Sequence, residues 1–337
     1  MWRARGDGTR EPMMAAMTAL GYDAMAVGNH EFDHGLDAIE SAREDAGFPF
    51  LAVNIARVSD GALAYRPSVI KDVGPLRVGI VGVCTPATPQ WLDASFTAGL
   101  RFLSPIETVA GEVGRLRTME RCDVIVVLAH TGFEKDPVTR ADVPAADPFE
   151  HWGYRLMTEV GGVDAWVFGH SHESRPSVPL GTTIGAQAGS RGESLGRIDL
   201  ELTRPPGGGP WTVTRRNARL LAVSDTTADD PALAELVAPY HAMTREALDQ
   251  VIGQAPRALD APGGRAEDGP AWDLVHEAQR AASGAPVSLT ALLDPEARLG
   301  PGSIRMRDVM RLYPYDNTLV VVRLTGEELK ESLEHAS

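Results

Sequence analysis

Cysteine is scarce. Cys84 and Cys122 are the only two in 337 residues, too few for a disulfide framework or a thiolate metal cage. Each borders an apolar run and reads as a buried thiol. Basic charge is short as well: 32 Lys and Arg stand against 46 Asp and Glu, for a net charge of −14. That balance argues against a partner that is a nucleic-acid polymer. An anionic small molecule remains accessible wherever bound cations reverse the local field. No apolar run approaches the roughly 20 residues of a membrane span, so no membrane partner is expected. Residues 1–10 are polar and Arg-rich and carry no apolar stretch of the kind found in a secretory leader.

Hydrophobic residues make up 43% and charged residues 23%, a globular composition, and the length suits two domains of ordinary size. From residue 11 to about 222, short runs rich in Val, Ile and Ala alternate with helical stretches. Strands are expected at 24–27, 50–53, 78–83, 124–129, 165–168 and 198–202, and helices at 12–20, 106–119 and 148–160. This alternation is the mark of an α/β layer fold. Arg204 to Pro210, a Pro/Gly-rich stretch, reads as a hairpin loop, with a strand resuming at 211–213. The domain boundary is expected at 222/223. A long helix at 231–252, a Gly/Pro-rich loop at 261–270 and a smaller α/β segment follow. The helical pattern that begins near the start and the helix still running at Ser337 read as ends cut from a longer protein.

Chemistry concentrates at strand ends. Gly28-Asn29-His30-Glu31 follows the strand-like 24–27, His130 follows 124–129, and Gly169-His170-Ser171-His172 follows 165–168. Sheets of this class place their sites at the carboxyl ends of strands. Imidazole nitrogens and an amide oxygen converging there would suit a divalent metal.

Gly28-Asn29-His30-Glu31 with Gly169-His170-Ser171-His172 resembles the signatures of calcineurin-like metallophosphoesterases. The longer stretch from Ala19 to Asp33, and Arg311-Leu-Tyr-Pro-Tyr-Asp-Asn-Thr-Leu319, are similar to the 5′-nucleotidase and 2′,3′-cyclic-nucleotide phosphodiesterase family. The resemblance covers nearly the whole chain. It implies a four-layered αββα sandwich over residues 1–222 and a smaller, incomplete substrate-binding α/β domain over 223–337. It also implies a monomeric, periplasmic or extracellular hydrolase that acts on phosphate esters of nucleotides or cyclic nucleotides. Two divalent ions (zinc, manganese, cobalt, magnesium or calcium) would activate a water. Asn29, His130 and His170 would bind one ion and His172 the other. His30 would contact the phosphate and stabilise or protonate the leaving oxygen, with Asp33 orienting it. Tyr315 would stack on the base beside Asn317, and Arg298 would match a phosphate-binding arginine.

One departure stands out. The family's Asp-x-His motif and its bridging aspartate do not occur ahead of Asn29. Asp7, in Gly6-Asp7-Gly8, reads as a polar turn, with the bridging ligand as its alternative role. As written, the second ion would keep His172 alone. The rival reading is therefore a non-catalytic relative that holds one metal ion or a nucleotide. A remoter rival comes from His30-Glu31-Phe32-Asp33-His34, which fits the H-E-x-x-H pattern of zinc proteases. That pattern needs a helix, whereas here a strand-like run precedes it and Gly35 follows at once.

Overall fold

The computed structural model describes residues 10–144, 146–261, 269–291, 293–294, 296–315 and 317–336; Asp7 lies outside them. By internal contact the chain divides into two compact units after Val237, within the helix Pro231–Asp249. The expected boundary lies upstream, at 222/223.

The first unit is built on a six-stranded sheet. Its order is Ser68–Val73, Leu76–Cys84, Val124–His130, Ala165–Phe168, Thr183–Ala188, Ser174–Leu180. The four inner strands are parallel and the two edge strands antiparallel. Val-Ile-Val-Val-Leu-Ala-His at 124–130 is apolar almost throughout because a central parallel strand is covered on both faces. Its side chains divide by the two-residue period of a strand. Ile125, Val127 and Ala129 pack with Val109, Val113 and Leu116 of the helix Pro105–Thr118, and with Leu156 and Met157 of the helix Gly153–Glu159. Val126 points the other way, toward Ala165, Ile184 and Ala186, and meets Ile198, Leu200 and Ala218. Those last three belong to the hairpin of Ser194–Thr203 and Thr212–Ala222.

The other β layer also includes the parallel pair Met25–Ala26 and Phe50–Leu51, which lies against Leu76–Cys84, with Met25–Ala26 also against Val124–His130. On its outer side Phe50 packs with Met14 of the helix Pro12–Ala19 and Ile39 of the helix Leu36–Asp45. The four expected layers, αββα, are present. Asn54 locks the two β layers together. Its buried amide donates to the Cys84 carbonyl at 2.7 Å and accepts from the Cys84 N–H at 3.0 Å.

Several elements differ from expectation. The strands expected at 24–27 and 50–53 pair over two residues each. The helix expected from 148 starts only at Gly153. Upstream of it, the Asp147 carboxylate and carbonyl cap a turn by accepting from the N–H groups of Phe149, Glu150 and His151. The Glu134 carboxylate then accepts from the N–H groups of Tyr154 and Arg155 and starts the helix afresh. Arg204 to Pro210 is the hairpin loop expected.

In the second unit, Val251–Ala255 pairs with Gly302–Arg305 and Leu259–Asp260 with Arg298–Leu299. A small core of Ala261, Ala271, Trp272, Ala297, Leu299 and Leu312 joins them to the helices Pro270–Ser283 and Met306–Leu312. Residues 317–325, just past Tyr315, form no strand, and Val320, Val321 and Val322 are exposed. With no neighbouring strand to exchange hydrogen bonds, even a β-branched run does not become a strand.

The two β layers approach closely at Gly82. A methyl group there would sit 2.4 Å from both Cβ and the carbonyl oxygen of Leu51. Gly82→Ala is expected to destabilise the chain by about 1–3 kcal/mol, read as a lower urea midpoint. An unchanged midpoint would mean that the layers are not in contact there.

Candidate metal centre

Three strand ends deliver the site. The register aligns Cys84 with His130 and Ala129 with Phe168, so His130 and the Gly169-His170-Ser171-His172 turn emerge at one edge. Val27 donates to the Leu51 carbonyl at 3.0 Å, which carries the end of the short parallel pair to the same place. Gly28-Asn29-His30-Glu31 is then closed on itself, because the Glu31 carboxylate accepts from the Gly28 N–H. Burial raises the pKa of Glu31, while the Gly28 hydrogen bond pulls it back. The run His30–Phe32 is a single 3-10 turn, and Gly35 carries a positive φ. The two histidines of H-E-x-x-H therefore share no helix face, which removes the protease reading.

Asn29 Oδ1 is the point of convergence. His130 Nε2 lies 2.8 Å from it and His170 Nδ1 3.1 Å from it. The two rings are 5.1 Å apart, centre to centre. Burial, followed by the charges of His170, His30 and His172, pushes the pKa of His130 down to about 3. Burial lowers that of His170 too, against the pull of Glu150. Neutral imidazole is the ligating form. Ligand bonds of about 2.1 Å place neighbouring donor atoms about 3 Å apart, so an amide oxygen and two imidazole nitrogens in this arrangement fit one divalent cation.

Backbone conformation fixes these side chains. Gly28 is glycine because a Cβ would sit 2.7 Å from the His130 ring. His170 and His172 adopt positive φ, at 80° and 58°, a cost of order 1–3 kcal/mol each that the surroundings must offset. The buried Gln187 supports that turn. With its oxygen toward the turn, its amide accepts from the N–H groups of His172 and Glu173.

The His30 side chain is 66% exposed, and its Nδ1 lies 2.8 Å from Asp33 Oδ2. Two residues the sequence reading passed over also reach the centre. Glu150 Oε1 is 2.8 Å from His170 Nε2. The potential donor atoms of Glu150, His151 and His170 lie within 4.8 Å of one another, and His151 Nδ1 is buried without a partner. Neither residue follows a strand, so the strand-end signal could not reveal them. No second group of three His, Cys, Asp or Glu in ligating reach occurs among the described residues.

Three expected substrate contacts lie in the second unit. Tyr315 is 56% exposed. Asn317 donates its amide to the Tyr313 hydroxyl at 3.1 Å. Arg298 pairs with Asp260, Nε to Oδ1 at 2.7 Å, as an ion pair without hydrogen-bond alignment.

Known proteins similar to this chain are nucleotidases and phosphoesterases. Residues 251–337 match the model of the 5′-nucleotidase C-terminal domain. A 2′,3′-cyclic-nucleotide 2′-phosphodiesterase/3′-nucleotidase of Salmonella typhimurium is 29% identical across 97% of this chain and 57% of its own length. The chain is related to the 5′-nucleotidases and cyclic-nucleotide phosphodiesterases. It spans little more than half the length of that relative. Among solved structures, a Staphylococcus aureus protein described as a 5′-nucleotidase superposes with a TM-score of 0.80 at 25% identity, over 98% of this chain and 63% of its own. The calcineurin-like phosphoesterase YfkN of Bacillus subtilis does so at 0.61 and 28% identity, over 71% of this chain and 75% of its own. Gly28→Ala is expected to displace the His130 ring. Zinc affinity by titration calorimetry should fall about 10–100-fold; native affinity would mean that His130 is not a ligand.

Proposed function

We propose that the chain carries the active site of a metal-dependent phosphoesterase that hydrolyses phosphate esters of nucleotides or cyclic nucleotides. The convergence of Asn29, His130 and His170, with the His30–Asp33 pair beside them, carries this reading. The relatives' names support the substrate class. Asn29, His130 and His170 would hold one divalent ion and His172 contribute to a second. Cations at these positions would act as Lewis acids on a phosphoryl group.

The chain's own groups divide the remaining work. Asp33 accepts from His30 Nδ1–H and fixes the ring, which leaves Nε2 to exchange a proton with the leaving oxygen. His30 is open to solvent and hence to substrate. In the substrate-binding domain, which would run from residue 223 and include the second unit, the exposed Tyr315 ring would stack on a base, with Asn317 next to it. Arg298 would reach a phosphate only by leaving Asp260. A monomer in the periplasm or outside the cell belongs to the same proposal. None of the helices among the described residues is long and apolar enough to cross a membrane.

A second reading follows because, among the described residues, His172 belongs to no group of three potential His, Cys, Asp or Glu ligands. The chain could hold a single ion and bind a nucleotide without turnover. Metal analysis separates the two: two ions per chain favour hydrolysis, one or none the binding module.

Two outcomes test the catalytic roles. His30→Ala should lower phosphatase turnover about 10²–10⁴-fold with metal content unchanged, whereas Asn29→Ala should strip metal; loss of metal from His30→Ala would reverse the assignment. Tyr315→Ala should raise KM for a nucleoside phosphate about tenfold, the loss of roughly 1.4 kcal/mol of stacking. It should leave a small aryl phosphate nearly unaffected. Equal losses on both substrates would give Tyr315 a structural role.

A further inference from the structure

His170 faces an acceptor on each side. Its Nε2 lies 2.8 Å from Glu150 Oε1 and its Nδ1 3.1 Å from Asn29 Oδ1. A neutral imidazole has one N–H and cannot donate to both. A carboxylate is the stronger acceptor, so the proton belongs on Nε2, toward Glu150. Nδ1 then presents a bare lone pair to the Asn29 oxygen. Two lone pairs at that distance repel unless a cation lies between them.

Glu150 is built to stay in place. Its carbonyl accepts from the hydroxyls of Thr85 at 2.7 Å and Thr131 at 2.9 Å. These threonines directly follow Leu76–Cys84 and Val124–His130, the two strands at the centre of the site. Its N–H donates to the Asp147 carbonyl at 3.0 Å. The His170 ring is held on one face by Trp91, stacked at 5.5 Å and 27°. Trp91 sets the plane of the ring, but only a hydrogen-bond partner can set which nitrogen carries the proton.

We propose that Glu150 is a positioning residue for the metal centre: it holds His170 as the Nε2–H tautomer and so offers Nδ1, next to Asn29 Oδ1, to a divalent cation. This rests on the metal-centre reading above. The competing arrangement is a cation bound directly by Glu150, His151 and His170 Nε2, whose donor atoms also lie close together. The geometry favours the first, because Nδ1 is the nitrogen that shares the Asn29 oxygen with His130.

The test uses the whole chain labelled with ¹⁵N-histidine. Two-bond ¹H–¹⁵N correlation spectra at neutral pH assign the His170 tautomer without metal, and Zn²⁺ is then added. The proposal expects the Nε2–H tautomer in the metal-free protein and a Zn²⁺-induced shift at Nδ1. Glu150→Leu should mix the tautomers and weaken Zn²⁺ binding about 10–100-fold. Glu150→Gln, whose amide oxygen still accepts, should keep the tautomer and stay within a few-fold of native affinity. Should the Leu variant fail to fold, Glu150→Ala makes the same comparison. A native Nδ1–H tautomer, a doubly protonated ring, a Zn²⁺ shift at Nε2, or a Leu or Ala variant with native tautomer and affinity would each overturn the proposal. If Zn²⁺ moved no histidine signal, the metal-centre reading would fall instead, and the metal-free tautomers would still decide whether Glu150 sets the ring.

Discussion

Parallel pairing of Val124–His130 between Leu76–Cys84 and Ala165–Phe168 sets everything else. In that register Cys84 and His130 end side by side and Ala129 lies next to Phe168. A slip of one residue would turn every side chain to the opposite face. It would put His130 where Ala129 now packs and turn Ile125 and Val127, fully buried beside the helices, toward the other β layer. The hydrophobic effect thus fixes the register, and the register delivers the imidazoles. At roughly 1.5–3 kcal/mol for each fully buried aliphatic side chain, the core outweighs the strain of two positive-φ histidines.

The second β layer supplies the remaining donor. Asn29 belongs to a turn that begins only two residues after Met25–Ala26, and that strand rests on the main sheet. The close approach at Gly82 and the Asn54 bonds to Cys84 hold this layer down, so Asn29 arrives from above while His130 and His170 arrive from the sheet itself. Gly28 leaves the space into which His130 fits. The candidate ligands thus sit on strand ends held by the core, whereas the His30 ring is paired with Asp33 and open to solvent.

Much of this was legible in the sequence, for a physical reason. Apolar runs that end abruptly in Asn or His mark strand ends, and the strands at 124–130 and 165–168 fall where their composition places them. The alternation of runs and helices marked an α/β layer fold, while the αββα order came from the family resemblance alone. Glu150 and His151 were not legible, since they follow an Asp147-capped turn rather than a strand. The continuous helix expected from 148 hid that turn. The partner of Arg298 is Asp260, 38 residues away, and no local pattern announces such a pair. The β-branched run at 320–322 forms no strand because β propensity specifies a surface that a neighbour must complete, and none of the described residues completes it.

X-ray absorption at the zinc edge of the metal-loaded chain decides whether Asn29, His130 and His170 form one divalent-cation site at the edge of the six-stranded sheet. Nitrogen and oxygen ligands at about 2.0–2.2 Å, with imidazole scattering that loses one ring in His130→Ala, are the expected result. A zinc shell without imidazole, or one unchanged by His130→Ala, would contradict the account.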